Sequence, residues 1–247
     1  MQETVLHALN RFGLGRLGDE ALPGDAPGWL HEQLVASDPG VTAQTPNIRD
    51  ANEIIVRTDR YNDAKRRDPN SHPENDPAIG PLQMWHQIFE RDVFATLRGA
   101  VRSATPARER LVMFWTNHFA VSAWATPPNI LYAGPYVREA VRPNATGRFV
   151  DLLRACLHHP AMINYYSQQD SIGPNSPFGL ARHRGINENL AREMLELFTL
   201  GLNAGYTQSD VTAVAPYPCQ VRHWQSCSCH WHRSALSQSS CRRRSED

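Results

Sequence analysis

Asn187-Glu188-Asn189-Leu190-Ala191-Arg192-Glu193-Met194-Leu195-Glu196-Leu197-Phe198-Thr199-Leu200-Gly201 decides the fold class. At 100° per residue, Leu190, Ala191, Met194, Leu195, Leu197 and Phe198 share one arc, on the order of 160° wide, as an amphipathic helix requires. Glu196 falls opposite that arc, Glu188 and Glu193 fall at its edges, and Gly201 supplies a stop. Glu188, Arg192 and Glu196 also form an i, i+4, i+8 ladder, a weak support for an exposed helix.

Outward from this segment the same period recurs. Helices are expected over 4–12, closed by Gly13 and Gly15, and from an Asp25 cap with Pro27 in the first turn to about Asp38. Further helices are expected over 47–64, 82–102, 107–123, 135–141, 148–158 and 160–167, and one begins at a Thr207-x-x-Asp210 cap. In 82–102 the expected core face is Leu82, Trp85, Ile88, Phe89, Val93, Leu97 and Val101. The 107–123 segment is apolar nearly all round, which predicts a central buried helix. Residues 66–81 hold four prolines with many Asp and Asn and read as an exposed, mobile loop. The 168–185 stretch is too long for a plain connector. No strand alternation appears, so the class is all-α: an irregular multi-helix domain over 1–215.

The composition breaks near Ala215. The 247 residues carry 25 basic and 25 acidic side chains, but residues 1–215 are net −3 and residues 216–247 net +3. Four of the five cysteines lie in the last 32 residues, with seven serines and two tryptophans. Lys65 is the sole lysine beside 24 arginines, a bias read as that of a GC-rich gene. No run of 18 apolar residues exists, so no membrane-spanning helix is expected. Neutral overall charge gives no electrostatic reason to expect nucleic acid. The start lacks a basic n-region and an apolar h-region, so the expected location is the cytoplasm.

Three blocks carry a family resemblance: Asn10-Arg11-Phe12-Gly13-Leu14-Gly15; Arg110-Leu-Val-Met-Phe-Trp-Thr-Asn-His-Phe119; and the 187–201 segment with Gly205-Tyr206-Thr207-Gln208 and Asp210-Val211-Thr212. In order and spacing they resemble the bacterial family called domain of unknown function 1800, over about 1–215. The resemblance implies a helical protein, with members roughly twice this long, some of them exported, and no established activity. It also implies an Ala-Arg-x-Leu continuation after residue 212, where this chain instead has Pro216-Tyr217-Pro218-Cys219. Read one base later, those codons permit Arg-Thr-Leu-Ala. The expectation is a frameshift after about Ala215, with 216–247 a disordered, out-of-frame tail and the chain a truncated product of little function. The rival is a metal site from Cys219, Cys227, Cys229, His230, His232 and Cys241, whose spacing is too tight for a standard zinc finger; disulfides are a third use.

Within the body, Asn117 and His118 interrupt an apolar helix, so His118 is expected to be partly buried and to need a partner. One reading is a satisfied core histidine; the other is a catalytic base or metal ligand. The catalytic candidates are Asn117, His118, Glu188, Arg192 and Glu193, forming a polar cluster in which Glu193 or Glu188 meets His118, Asn117 or Asn189. The bland alternative for the acids is salt bridging. Helical zinc, di-iron, phosphate-loop and nucleophile-elbow motifs are missing, so no metal or cofactor is assigned. Cys156 is expected to pack as a small hydrophobe, and His158-His159-Pro160 to form a helix corner, with metal binding as the alternative. Two function classes follow: a hydrolase-type enzyme using that cluster, or a non-catalytic helical scaffold binding a protein partner.

Overall fold

The computed structural model describes residues 2–216 apart from 17, 19–20, 39–44, 81, 83, 174–176 and 184. The expectations for the tail, whether disorder, metal ligation or disulfides, lie outside the described residues from 217 onward. Among the described residues every regular element is helical and none is a strand. Among the described residues no helix is long and apolar enough to cross a membrane.

In chain order the helices are α1 (Gln2–Phe12), α2 (Ala26–Val35), α3 (Ile48–Arg67), α4 (Trp85–Val101), α5 (Pro106–His118) and α6 (Asn129–Tyr136). After them come α7 (Phe149–Leu157), α8 (Pro160–Tyr165), α9 (Pro177–Arg182), α10 (Asn189–Glu193) and α11 (Gln208–Val214). Two compact units are formed: Met1–Ile48 with Gln83–Met162, and Arg49–Leu82 with Ile163–Asp247.

In the first unit, Val5, Ala8 and Leu9 of α1 pack with Trp29 of α2 and Ala107 of α5. Gly13 and Gly15 end α1 by donating both amides to Leu9 O, at 3.1 and 3.2 Å. Gly15 stands at φ +94, and a Cβ on Gly13 would come within 2.8 Å of that carbonyl. Asp25 caps α2 by accepting the Gly28 amide at 2.6 Å. α6 continues into a π-helical turn at Val137–Val141 and a 3-10 turn at Arg142–Asn144.

Two expectations about buried faces fail here for one reason. α4 buries Ile88, Asp92 and Ala100, while Val93, Leu97 and Val101 of the expected core stripe are exposed. The helix is rotated because Asp92 points inward to the Arg138 guanidinium, whose Nη2 also donates to Pro46 O at 2.7 Å. α5 likewise is not buried all round and stops at His118: it turns Ala107, Arg108, Glu109 and Val112 inward and leaves Phe114 exposed. Paired charges occupy interior positions that the apolar pattern assigns to hydrophobes.

In the second unit, the stretch expected to be an exposed loop after α3 is tied down. Lys65 Nζ donates to Pro69 O at 3.2 Å and to Ser71 O at 2.6 Å. Pro73 is buried in a 3-10 turn, and Ile79 is buried too. The 168–185 stretch contains a 3-10 turn at Gln168–Asp170 and α9. Ala191, Leu195, Val211 and Ala215 form a core cluster joining α10 to α11.

Candidate functional site

The deciding segment folds differently at both ends. Asn187 stands before α10 and braces it: its Nδ2 donates to Tyr166 O and Ser167 O at 2.8 and 3.0 Å, and its Oδ1 accepts the Asn189 amide at 3.0 Å. Ser167 adopts a left-handed φ of 53 to present its carbonyl there. After Glu193 the helix widens into a π-helical turn over Met194–Thr199, shown by the Leu200 amide bonding Leu195 O at 2.9 Å. The wider turn advances each residue by less than 100° and breaks the predicted arc. Leu190, Ala191, Leu195 and Phe198 are buried as expected, but Leu197 faces out, 59% exposed.

Glu188 is fully engaged. Its Oε2 accepts from Arg192 at 3.1 Å and Gln208 at 2.9 Å, and its Oε1 from the Thr212 hydroxyl at 3.1 Å. The Gln208 and Thr212 donors, then Arg192, hold its carboxyl below the ordinary range. Arg192 Nη2 also donates to Gln208 at 2.5 Å, and Nη1 lies 4.0 Å from Glu196. α11 is further fixed by the Thr207–Asp210 capping box. These contacts clasp α11 to α10.

Glu193 is the exception. Its Oε2 is enclosed with no hydrogen-bond partner among the described residues. Burial, then the Glu196 charge, pushes its carboxyl up. The Tyr166 hydroxyl is pushed up as well, by burial and then by the Glu193 and Tyr165 charges.

Asn117 and His118 belong to the first unit, Glu188, Arg192 and Glu193 to the second. Asn117 is exposed. His118 is half-buried in an aromatic group, stacked on Phe114 with centroids 6.2 Å apart and edge-on to Trp115 and Phe119 at 5.6 and 4.7 Å. Trp115 is anchored by its indole N–H donating to Ala145 O at 3.0 Å. Among the described residues no group of three or more His, Cys, Asp or Glu is placed to hold a metal ion.

Sequence reasoning missed the polar groups that organise the first unit. Arg142 donates to both oxygens of Glu109, at 2.8 and 2.6 Å, and to Asp38 at 3.1 Å, with Arg142 and Glu109 buried. The hydrogen bonds that Arg142 donates to Glu109, opposed by burial, drive the Arg142 pKa up. Burial pushes the Asp92 carboxyl up against the pull of Arg138 and Thr45. His159 is buried; its Nδ1 accepts the Ala161 amide at 3.2 Å, so Nε2 carries the proton toward Glu139 Oε2, 3.9 Å away. Cys156 is buried, and burial pushes its thiol up to about 12, an inert packing residue. A charged residue inside an otherwise apolar helical face, as at Asp92 and Glu109, was the available signal.

Arg110 ties two of the three resemblance blocks to each other. Its Nη1 donates to Asn10 O at 3.2 Å and Gly13 O at 2.8 Å, fastening the end of α1 to α5.

A family model described as Protein of unknown function (DUF1800) matches residues 7–217. No curated protein and no solved structure gives a significant match to the chain.

Proposed function

The chain belongs to the family described as Protein of unknown function (DUF1800), and from that premise we propose that its helical body is a non-catalytic scaffold that presents apolar helix faces to a protein partner. The observation that carries this reading is the outward α4 face, with Phe94 71%, Leu97 55% and Val101 63% exposed. Contiguous apolar surface of this kind marks interaction sites. The motif residues support it from the other side. Arg110, Asn187, Glu188 and Arg192 are occupied in fastening helices to one another.

The test is photo-crosslinking in cells from benzoylphenylalanine placed at position 94, or at 200 in the second unit, where Leu200 is 57% exposed. Discrete adducts are expected from at least one position; diffuse or missing adducts from both would overturn the scaffold.

A second reading has one observation in its favour. The enclosed, unpartnered oxygen and raised pKa of Glu193 suit a general acid or base of a hydrolase. In that case the intact chain should turn over a member of a chromogenic ester, amide and phosphoester panel, and Glu193→Gln should lower the rate by about 100-fold or more. Activity insensitive to that substitution would remove the reading. The sequence from 216 onward is read as out of frame on its composition, its departure from the Ala-Arg-x-Leu continuation and its codons, and resequencing the DNA around codon 215 tests that.

A further inference from the structure

We propose that His159 is a proton-operated cap on α8, closed at neutral pH and opened by acid. The device is independent of what the first unit binds. The ring stands in the capping place of α8, which begins at Pro160, and its Nδ1 accepts the Ala161 amide at 3.2 Å. Nε2 therefore carries the proton of the neutral ring, turned toward Glu139 Oε2 at 3.9 Å. That tautomer decides what a second proton does. Coming from solvent, it can add only to the lone pair of Nδ1, the pair that holds the Ala161 amide. Two donors would then face each other, and the cap is lost. Ala161 is fully buried, so its orphaned amide reaches water only if the first turn of α8 opens.

The groups around the ring leave this outcome in place. Glu139, on the π-helical turn after α6, favours the charged ring, but burial opposes that charge more strongly. The Arg138 guanidinium beside Glu139 is engaged by Asp92 and Pro46 O. Tyr136 of α6 meets the ring with centroids 5.2 Å apart, and its hydroxyl donates to Phe119 O at 2.8 Å. The Cys156 thiol of α7 is buried and held protonated, and His158 adjoins in the chain. The position of the pair gives the cap its reach. The two stretches of the first unit end at Ile48 and Met162, and both ends are held here. Glu139 Oε1 accepts the Ile48 amide at 2.9 Å, and His159 O accepts the Met162 amide at 3.0 Å. Acid loosens the second end, which follows the capped turn, and spares the first, which a carboxylate holds.

The test is NMR of the full 247-residue chain. Side-chain nitrogen spectra at neutral pH should show His159 with its proton on Nε2 and a bare Nδ1. Amide exchange, corrected for intrinsic rates, should leave Ala161 protection level above pH 6.5 and lower it about tenfold for each pH unit below. The Leu152 amide of α7, bonded to Arg148 O at 3.2 Å, should stay protected over that range. In His159→Asn the side-chain carbonyl takes the place of Nδ1 as acceptor and does not titrate, so Ala161 protection should be level throughout. A proton on Nδ1 at neutral pH overturns the proposal. So does Ala161 protection indifferent to pH in the wild type, or lost in step with Leu152, which is global unfolding. An equal acid loss in His159→Asn overturns it as well. The wild-type measurements decide the matter whether or not that variant folds.

Discussion

At the scale of single residues, Gly134 is the position where the first unit has least room. A Cβ built on it would fall on the Asp92 carboxylate, and Arg138 lies just beyond. Glycine at 134 is what lets a buried carboxylate meet its guanidinium across the α4–α6 contact. Gly134→Ala must either expel Asp92 from Arg138 or part the two helices. Breaking a buried pair costs about 3–5 kcal/mol, so the variant should lose about that much in urea unfolding. A loss under about 1 kcal/mol would show that Asp92 has other accommodation. Asp92→Ala with Gly134→Ala, which removes the obstructing carboxylate, should cost less than the sum of the two single changes.

At the scale of elements, Glu139 is a junction. One oxygen accepts the Ile48 amide at 2.9 Å, at the start of α3; the other faces His159, beside the start of α8. Burial alone would raise the Glu139 pKa, but the facing imidazole, the Ile48 amide and the Arg138 charge outweigh it and hold it low. Burial holds the His159 pKa below its ordinary 6.5, against the pull of Glu139. Both shifts act in the same direction. The unfolded chain binds more protons than the folded one, so this stability is complete above 6.5 and is lost as pH falls through the folded histidine value. The Glu139 share is lost only below the ordinary 4.5. His159→Gln should therefore flatten the decline of stability that begins below pH 6.5. Identical slopes in chemical-denaturation series of the two proteins would contradict this. The elements themselves were legible in the sequence wherever period and punctuation agreed, as at α1 with its glycines, α2 with Asp25 and α11 with Thr207. Their orientation was not. Hydrophobic period assumes apolar side chains turn inward, and α4 and α5 instead turn Asp92, Arg108 and Glu109 inward because distant guanidinium and carbonyl groups await them. Likewise a π-helical turn has no fixed composition, so the outward swing of Leu197 was unreadable. Of the candidate site, the engaged charges Glu188 and Arg192 follow from i, i+4 spacing, whereas the isolation of Glu193 Oε2 depends on what encloses it.

At the scale of the whole molecule, arginine is the fastening of the first unit. Arg108 donates to Leu34 O and Ala36 O, Arg110 to Asn10 O and Gly13 O, Arg138 to Asp92 and Pro46 O, and Arg142 to Glu109 and Asp38. These ties join positions from 33 to 104 residues apart. A guanidinium can serve two acceptors at once from a fixed plane, which an ammonium on a flexible stem does less well. The arginine excess of the composition thus has a structural use, whatever its origin in codon bias. The lone lysine carries the opposite consequence. Its amine is the single side-chain target for acylating dyes, biotin esters and amine-coupling sensor chips, and it already holds the Pro69 and Ser71 carbonyls. Acylation there removes a charge and the donors that pin the turn after α3. A reagent chosen as a neutral handle would act on this chain as a lesion, and its signal would report the loosened turn.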